Sequence, residues 1–185
     1  MKAQFIAEMK KIDRPGIDAL IDCMEKGGFF EAPCSGAHHL AQVGGLLEHS
    51  LNVLNMARRL NKAWGELYDD TTIIIVALLH DLGKMGDHGK PNYVENILKS
   101  GNQSKDKPYV TNKELTCIPH EVRSVMIAER YISLTEEEET AILWHNGLYG
   151  DFKYEISGKE TPLYMITHFA DMWASRVIEI EEEDE

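Results

Sequence analysis

The chain has 185 residues, of which 43% are hydrophobic, and its 31 acidic residues against 19 Lys and Arg give a formal net charge of -12. This length fits one domain that buries about 70% of its unfolded surface without disulfide bonds. The acidic balance argues against an extensive nucleic-acid-binding surface, because such a surface needs cationic groups to displace counterions from phosphates.

The cysteines and the hydropathy indicate a soluble protein in a reducing compartment. Cys23, Cys34 and Cys117 are odd in number and widely spaced, which is typical of free thiols, and we assign them no role. No stretch reaches the roughly 18 apolar residues of a membrane-spanning helix, and the N-terminus lacks the apolar segment of a signal peptide. We therefore expect a cytoplasmic protein without a membrane partner.

The charge is unevenly distributed along the chain. Six acids lie within 179–185, an acidic tail that we expect to be solvated and frayed. Between Lys84 and Lys113 there are six lysines and three acids, a local balance of +3. This segment can therefore steer a small anionic ligand even though the whole chain is acidic.

Apolar spacing and capping residues predict an all-α chain whose helices are joined by short turns. No repeat or low-complexity linker divides the chain, so we expect a single domain over 1–185 with its core in 38–178. In chain order, the predicted helices cover 2–12, 15–27, 45–63, 70–82, 119–132, 136–145 and 162–178.

The helix predicted over 45–63 is amphipathic and carries a histidine on its apolar side. Leu46, His49 and Val53 follow one another at intervals of three or four residues, so they share a helix face. His49 should therefore point toward the core together with the apolar side chains.

His80 and Asp81 end the next predicted helix, 70–82, which is apolar on every side and must be buried. A buried carboxylate is costly unless a cation or hydrogen bonds accompany it. The C-terminal end of a helix dipole also disfavours an anion, by about 0.3–1 kcal/mol. A bound divalent metal would remove both costs, so the doublet predicts a metal site.

The segment 86–117 breaks the helical pattern with several glycines and prolines. Residues 93–96 (Tyr-Val-Glu-Asn) and 109–112 (Tyr-Val-Thr-Asn) resemble each other, which predicts a small β-hairpin. Long connections without helices are uncommon in compact domains and are often functional. We expect this insertion to select the substrate through its lysines, which include Lys90, Lys105 and Lys107.

Three further candidate ligands lie on the last three predicted helices. Pro119 suits the first position of its helix, which puts His120 in the first turn. A capping box opens the following helix, whose last turn carries His145. Asp171 lies on the final helix. His168, three residues earlier, is left out of the candidate set because the other residues already supply enough ligands.

The order of these residues resembles the ligand pattern of the HD superfamily of metal-dependent phosphohydrolases, over about residues 38–178. The two intervening histidines match the subgroup that holds two metals. The stretch 38–49 is also similar to the start of the HD domain in bacterial 3′-to-5′ exoribonucleases, although this chain has no room for the OB-fold module of those enzymes. In this chain the pattern consists of His49, His80-Asp81, His120, His145 and Asp171.

The resemblance implies an all-α HD-domain helical bundle with two divalent ions. Imidazole and carboxylate ligands suit Mn²⁺, Fe²⁺, Ni²⁺, Co²⁺ or Zn²⁺, and the lack of thiolates in the pattern argues against a structural zinc. Lys84 occupies the place of the lysine in the His-Asp-x-Gly-Lys motif of related proteins, so we expect it to contact phosphate. One ion would be held by His49, His80, Asp81 and Asp171, and the other by His120, His145 and a bridging Asp81.

We therefore expect a hydrolase of a small phosphorylated metabolite, most simply a nucleotide. Asp81 and Lys84 would be catalytic, and Lys84, His39 and Lys90 would contact the substrate. Two alternatives stay open: a di-iron HD-type oxygenase, and a nucleotide-binding HD module without turnover. The sequence does not determine the metal, the bond cleaved or whether the chain forms a homo-oligomer.

Overall fold

The computed structural model describes residues 1–180. In it, the helices begin and end close to the capping residues found in the sequence. The all-α prediction is confirmed, with one short antiparallel hairpin. The helices are α1 (Lys2–Met9), α2 (Ile17–Gly27), α3 (Gly45–Ala63), α4 (Asp70–Leu79), α5 (His120–Ala128), α6 (Glu136–Trp144), α7 (Lys153–Ile156) and α8 (Pro162–Trp173), and the strands are β1 (Tyr93–Glu95) and β2 (Tyr109–Thr111).

Helix α4 lies at the centre of the hydrophobic core. Asp69 caps it by accepting a hydrogen bond from the Thr72 backbone N–H, at 2.8 Å. Every residue from 73 to 79 is fully buried, and α4 contacts α1, α3, α6 and α8. Each large aliphatic side chain buried in this way contributes about 1.5–3 kcal/mol, so the position of α4 is strongly determined.

The chain leaves α4 three residues earlier than the sequence predicts. The α-helix ends at Leu79 instead of continuing up to Gly83, and Leu82–Met85 forms a 3-10 turn. The reason lies in the contact with α5: the Gly83 N–H donates to Ser124 Oγ at 2.8 Å. A Cβ added at Gly83 would overlap the carbonyl oxygen of His120. The tighter turn thus brings the end of α4 against the start of α5.

The later helices follow their predicted starts closely. Pro119 precedes α5 in an extended conformation rather than occupying its first position, and His120 is the first helical residue. The capping box of α6 is present: the Thr135 side chain accepts from the Glu138 N–H, and the Glu138 carboxylate accepts from the Thr135 N–H. Helix α8 continues as a π-helical turn over Ala174–Ile178.

The insertion forms the predicted hairpin, in which Tyr93 pairs with Thr111 and Val94 with Val110. It does not stand apart from the helices. The Tyr109 N–H donates to the Gly36 carbonyl at 3.0 Å, which joins β2 to the loop that precedes α3. The insertion is therefore tied to the segment that carries His39.

The expectation of a solvated acidic tail is wrong at its first residue. Glu179 is buried, with 8% of its surface exposed, because it bonds to groups of α3. Residues 181–185 of the predicted tail lie outside the described residues. Within residues 1–180, no helix is long and apolar enough to cross a membrane.

Replacing Gly83 by Ala should destabilise the fold by about 1–3 kcal/mol, the usual cost of forcing an extra methyl into a packed contact. Urea unfolding followed by circular dichroism measures this as a lower midpoint. Gly27→Ala is the matched control, because its Cβ would meet only the flexible Met85 side chain, at 3.0 Å from Sδ. An unchanged midpoint in Gly83→Ala would contradict the close contact with α5.

Candidate metal centre

Five helices bring the six predicted ligands to one place. His49 lies in the first half of α3, and His80 with Asp81 directly follows α4. His120 is the first residue of α5, His145 directly follows α6, and Asp171 lies near the end of α8. Four of the six side chains are at most 1% exposed, whereas His120 and Asp171 keep 26% and 19% of their side chains accessible. These last two therefore mark the open side of the centre.

On one side of the centre, three groups converge on the Nε2 atom of His49. It lies 3.2 Å from His80 Nε2, 3.1 Å from Asp171 Oδ1 and 3.5 Å from Asp81 Oδ2. Donors that sit about 2.1 Å from a divalent ion are separated from each other by about 3 Å or slightly more. The spacing therefore suits one ion held by these four residues.

On the other side, the second oxygen of Asp81 faces two histidines. Asp81 Oδ1 lies 3.1 Å from His120 Nε2 and 3.4 Å from His145 Nε2. The two Nε2 atoms lie 3.4 Å apart. Oδ2 of Asp81 thus faces His49, whereas Oδ1 faces this pair.

The histidines are held by bonds from their outer ring nitrogens. His80 Nδ1 donates to the Ala77 carbonyl at 2.8 Å, and His145 Nδ1 donates to the Ile142 carbonyl at 2.7 Å. A carbonyl oxygen can only accept, so Nδ1 carries the hydrogen and Nε2 presents a lone pair when each ring is neutral. Outer partners of this kind orient the imidazoles of metal sites.

The fit of these residues to a metal rests on Asp81. Its Oδ1 is completely buried and, among the described residues, has no partner in hydrogen-bond geometry. A buried charged oxygen left without a partner is strongly destabilising. The neighbouring imidazole nitrogens and the partnerless oxygen together form a donor set that a divalent cation satisfies.

Without a bound cation, protons and Lys84 balance the buried carboxylates. Burial disfavours the charged form of Asp81, but the Lys84 ammonium, 2.6 Å away, and the nearby histidines hold its pKa well below the usual range. Burial likewise disfavours charge on His49 and His145, yet the adjacent acidic groups raise the pKa of both rings, that of His49 strongly. Metal binding must therefore displace these protons.

The structure also locates the predicted substrate contacts. Lys84 lies beside Asp81 with 13% of its side chain exposed, and both Lys84 and His39 line a cavity next to Asp171. Lys90 does not line this cavity: its Nζ donates to the Glu114 carbonyl at 2.8 Å. Its predicted role in substrate binding stays a prediction.

His168 lines the same cavity as Lys84, His39 and Asp171. Its Nδ1 is 2.7 Å from the His145 carbonyl, and its ring stacks on Tyr164 at a centroid distance of 5.7 Å. It also lies against Gly147, where a Cβ would overlap the imidazole. One ring nitrogen is thus held by a backbone carbonyl, and the omission of His168 from the predicted ligand set stays a prediction.

Sequence reasoning missed Glu179. Both of its carboxylate oxygens lie 3.0 Å from His49 Nδ1, and Oε1 also accepts a hydrogen bond from Asn52 at 2.9 Å. Glu179 directly follows the π-helical turn that extends α8. Because that turn interrupts the α-helical repeat after Asp171, residue spacing does not predict that the two side chains meet at the same centre.

Cys34 is the second residue that the sequence analysis missed. It is fully buried and its Sγ lies 3.4 Å from His39 Nε2 and 4.0 Å from Asp81 Oδ2. Burial raises the pKa of this thiol to about 11, and it lowers that of His39 to about 4. Cys34 lies in an irregular loop, where no periodicity predicts the direction of a side chain.

A protein family matches most of the chain. The family described as the HD domain matches residues 46–172, more than half of the chain. No curated protein and no solved structure matches the chain. The local similarity to bacterial exoribonucleases receives no support from these comparisons.

Glu179→Gln should weaken Mn²⁺ binding about 10–100-fold, the usual effect of changing an outer partner of a ligand histidine. The amide can still accept from His49 Nδ1, so the loss reports the missing negative charge. Isothermal titration calorimetry measures the affinity, with the exposed Glu31→Gln as control. Equal affinities in the two variants would rule out this role.

The metal-free chain should lose stability as the pH rises from 6.5, the ordinary pKa of histidine. The folded state keeps protons on His49 and His145 that the unfolded state releases, so each contributes a slope of at most about 1.4 kcal/mol per pH unit. The effect is read well below pH 9.0, the ordinary pKa of a cysteine thiol, so that unfolded cysteine stays protonated. Urea unfolding at several pH values measures it.

A divalent ion displaces the same protons, so the metal-loaded chain should not show this decline. Stabilisation by metal should consequently grow with pH over that window. A metal-free chain whose stability is constant or increases over the window would contradict the proton balance described for these histidines.

Proposed function

This chain belongs to the HD domain family, and we propose that it is a metal-dependent phosphohydrolase that acts on a nucleotide. The observation that carries the proposal is the position of Asp81, whose two oxygens face two separate groups of imidazole nitrogens. That arrangement suits two ions joined by one carboxylate. Paired ions stabilise both the attacking and the leaving oxygen of a phosphoryl displacement.

Divalent ions bound at this centre would supply Lewis acidity and lower the pKa of water to produce the nucleophile. The residues of the chain hold and orient the centre. His80 and His145 are fixed by backbone carbonyls, and His49 is fixed by the Glu179 carboxylate. This rigidity keeps the inner nitrogens in place during the reaction.

Lys84 connects the centre to the substrate. In the absence of an ion its Nζ balances Asp81 Oδ2 at 2.6 Å. With divalent ions bound at the centre, Lys84 would no longer have to compensate the charge of Asp81. Since Lys84 also lines the adjacent cavity, its ammonium would then be placed to contact a phosphate group, which is the role that the sequence predicts.

The shape and charge of the cavity favour a nucleotide. It has a volume of about 410 Å³ and is lined by Lys84, Arg176, His38 and His39, together with Asp171. The two cationic side chains, Lys84 and Arg176, suit a phosphate.

An exposed aromatic ring at the same cavity suits a nucleobase. Tyr149 lines the cavity with 78% of its surface exposed. The Arg176 guanidinium lies 5.9 Å from the centre of the Tyr149 ring. A base could stack on this ring while Arg176 faces the phosphate, because stacking on tyrosine tolerates any base.

The direct test is phosphate release from a panel of nucleotides with each of Mn²⁺, Fe²⁺, Co²⁺, Ni²⁺ and Zn²⁺. Asp81→Asn keeps the size of the side chain but removes the charge that joins the two ligand groups. It should lower activity by more than the roughly 10–100-fold typical of an outer-shell change. Asp22→Asn, at an exposed position, is the control and should keep full activity.

Other results of the same panel would favour the alternatives. Oxygen consumption by the iron-loaded chain without phosphate release would identify an HD-type oxygenase. Tight nucleotide binding without release under any metal would identify a binding module. Full activity in Asp81→Asn would overturn the proposed mechanism.

Arg176→Gln should raise KM for a nucleotide about 10-fold, the equivalent of about 1.4 kcal/mol for one lost charged contact. The change in kcat should be small, because Arg176 is not among the six candidate ligands and acts on binding. Steady-state kinetics measures both. Lys90→Gln is the matched control, since it removes one positive charge from outside this cavity.

A larger effect in Lys90→Gln than in Arg176→Gln would instead support the lysines of the insertion as the substrate contacts. Among the lysines of the insertion, Lys105 differs from Lys90 in its position. It lines an adjoining cavity of about 610 Å³ together with His38 and His39. Lys105→Gln should therefore raise KM, by less than Arg176→Gln.

A further inference from the structure

A second set of metal-ligating atoms lies next to the HD ligands. Cys34 Sγ, a ring nitrogen of His39 and a ring nitrogen of His49 all lie within 4.8 Å of one another. Cys34 and His49 are fully buried, and His39 keeps 21% of its side chain accessible to the cavity. Neither Cys34 nor His39 belongs to the HD pattern.

The loop that carries Cys34 and His39 is closed by its own hydrogen bonds. The Cys34 N–H donates to the Leu40 carbonyl at 3.1 Å, and Ser35 Oγ donates to the His39 carbonyl at 2.9 Å. Ser35 Oγ also accepts from the His38 N–H at 2.9 Å. These bonds hold Cys34 and His39 side by side in the absence of any ligand.

The same loop is seated on the helix that provides His49. The Leu40 carbonyl lies so close to Gly45 that a Cβ there would overlap it. His49 follows one turn later on α3. The three candidate ligands are thus preorganised on two segments in direct contact, which reduces the ordering cost of binding an ion.

We propose that Cys34, His39 and His49 form a sulfur-containing site for Zn²⁺ or Co²⁺ that shares His49 with the HD centre. One thiolate, two imidazoles and a water from the cavity give the four ligands that these ions accept. Cys34 would release its proton to solvent on binding. Sulfur and nitrogen donors disfavour Mn²⁺ and Mg²⁺, which prefer oxygen.

Because the sulfur-containing site and the HD centre both include His49, they compete for this side chain. Glu179 holds Nδ1 of His49 at 3.0 Å, so Nε2 is the nitrogen that remains for an ion. One lone pair binds one ion at a time. An ion in the sulfur-containing site therefore draws His49 away from His80 and Asp171. This inference concerns metal selection and does not depend on the phosphohydrolase activity.

Titration of the metal-free full-length chain with Co²⁺ tests the proposal. Thiolate ligation gives a sulfur-to-cobalt charge-transfer band in the near ultraviolet, which imidazole and carboxylate ligands do not. We expect this band in the wild type and in Cys117→Ser, whose cysteine is exposed. Cys34→Ser should abolish it, and His39→Ala should weaken it.

Two further measurements distinguish the loss of a metal ligand from a folding defect. Mn²⁺ affinity should be unchanged in Cys34→Ser, because the HD ligands are intact. X-ray absorption of the wild-type chain with one equivalent of Zn²⁺ should show a sulfur neighbour at about 2.3 Å. Absence of that sulfur neighbour, or a cobalt band that persists in Cys34→Ser, would overturn the proposal.

Discussion

The burial of three carboxylates in one helical core is the constraint on which the rest of the site depends. Asp81 and Glu179 have side chains only 1% exposed, and Asp171 lies beside them at 19%. Such a group of negative charges is stable only if cations are buried with it. Lys84 and protonated histidines provide positive charge in the metal-free chain, and divalent ions provide it more effectively.

The two helices that end at the centre, α4 and α6, orient a histidine by the same kind of hydrogen bond. His80 follows the end of α4 and donates to the carbonyl three residues earlier, Ala77. His145 follows the end of α6 and donates to the carbonyl three residues earlier, Ile142. In each case the ring satisfies a carbonyl left free at the helix end, and the other nitrogen is turned inward. Both helix ends also bring partial negative charge to the centre, which adds to the demand for a cation.

The convergence of the six candidate ligands could be predicted because each is tied to a regular element. His49 follows from the apolar stripe of α3, and the buried run of α4 makes Asp81 expensive without a cation. The end of α4 and the role of Glu179 could not be predicted in the same way. Both depend on tertiary contacts: the close approach of Gly83 to α5, and the bond between Glu179 and His49. Local sequence does not encode which distant group a helix end will meet.

The insertion and the metal centre are physically connected, although the lysines of the insertion are dispersed. Strand β2 bonds to the Gly36 carbonyl, and Gly36 lies within the loop that positions Cys34 and His39. The same loop is seated on α3 through Leu40 and Gly45. A change in the hairpin can therefore reach the cavity wall through two backbone contacts. The position of the hairpin, and not only its positive charge, links it to the candidate site.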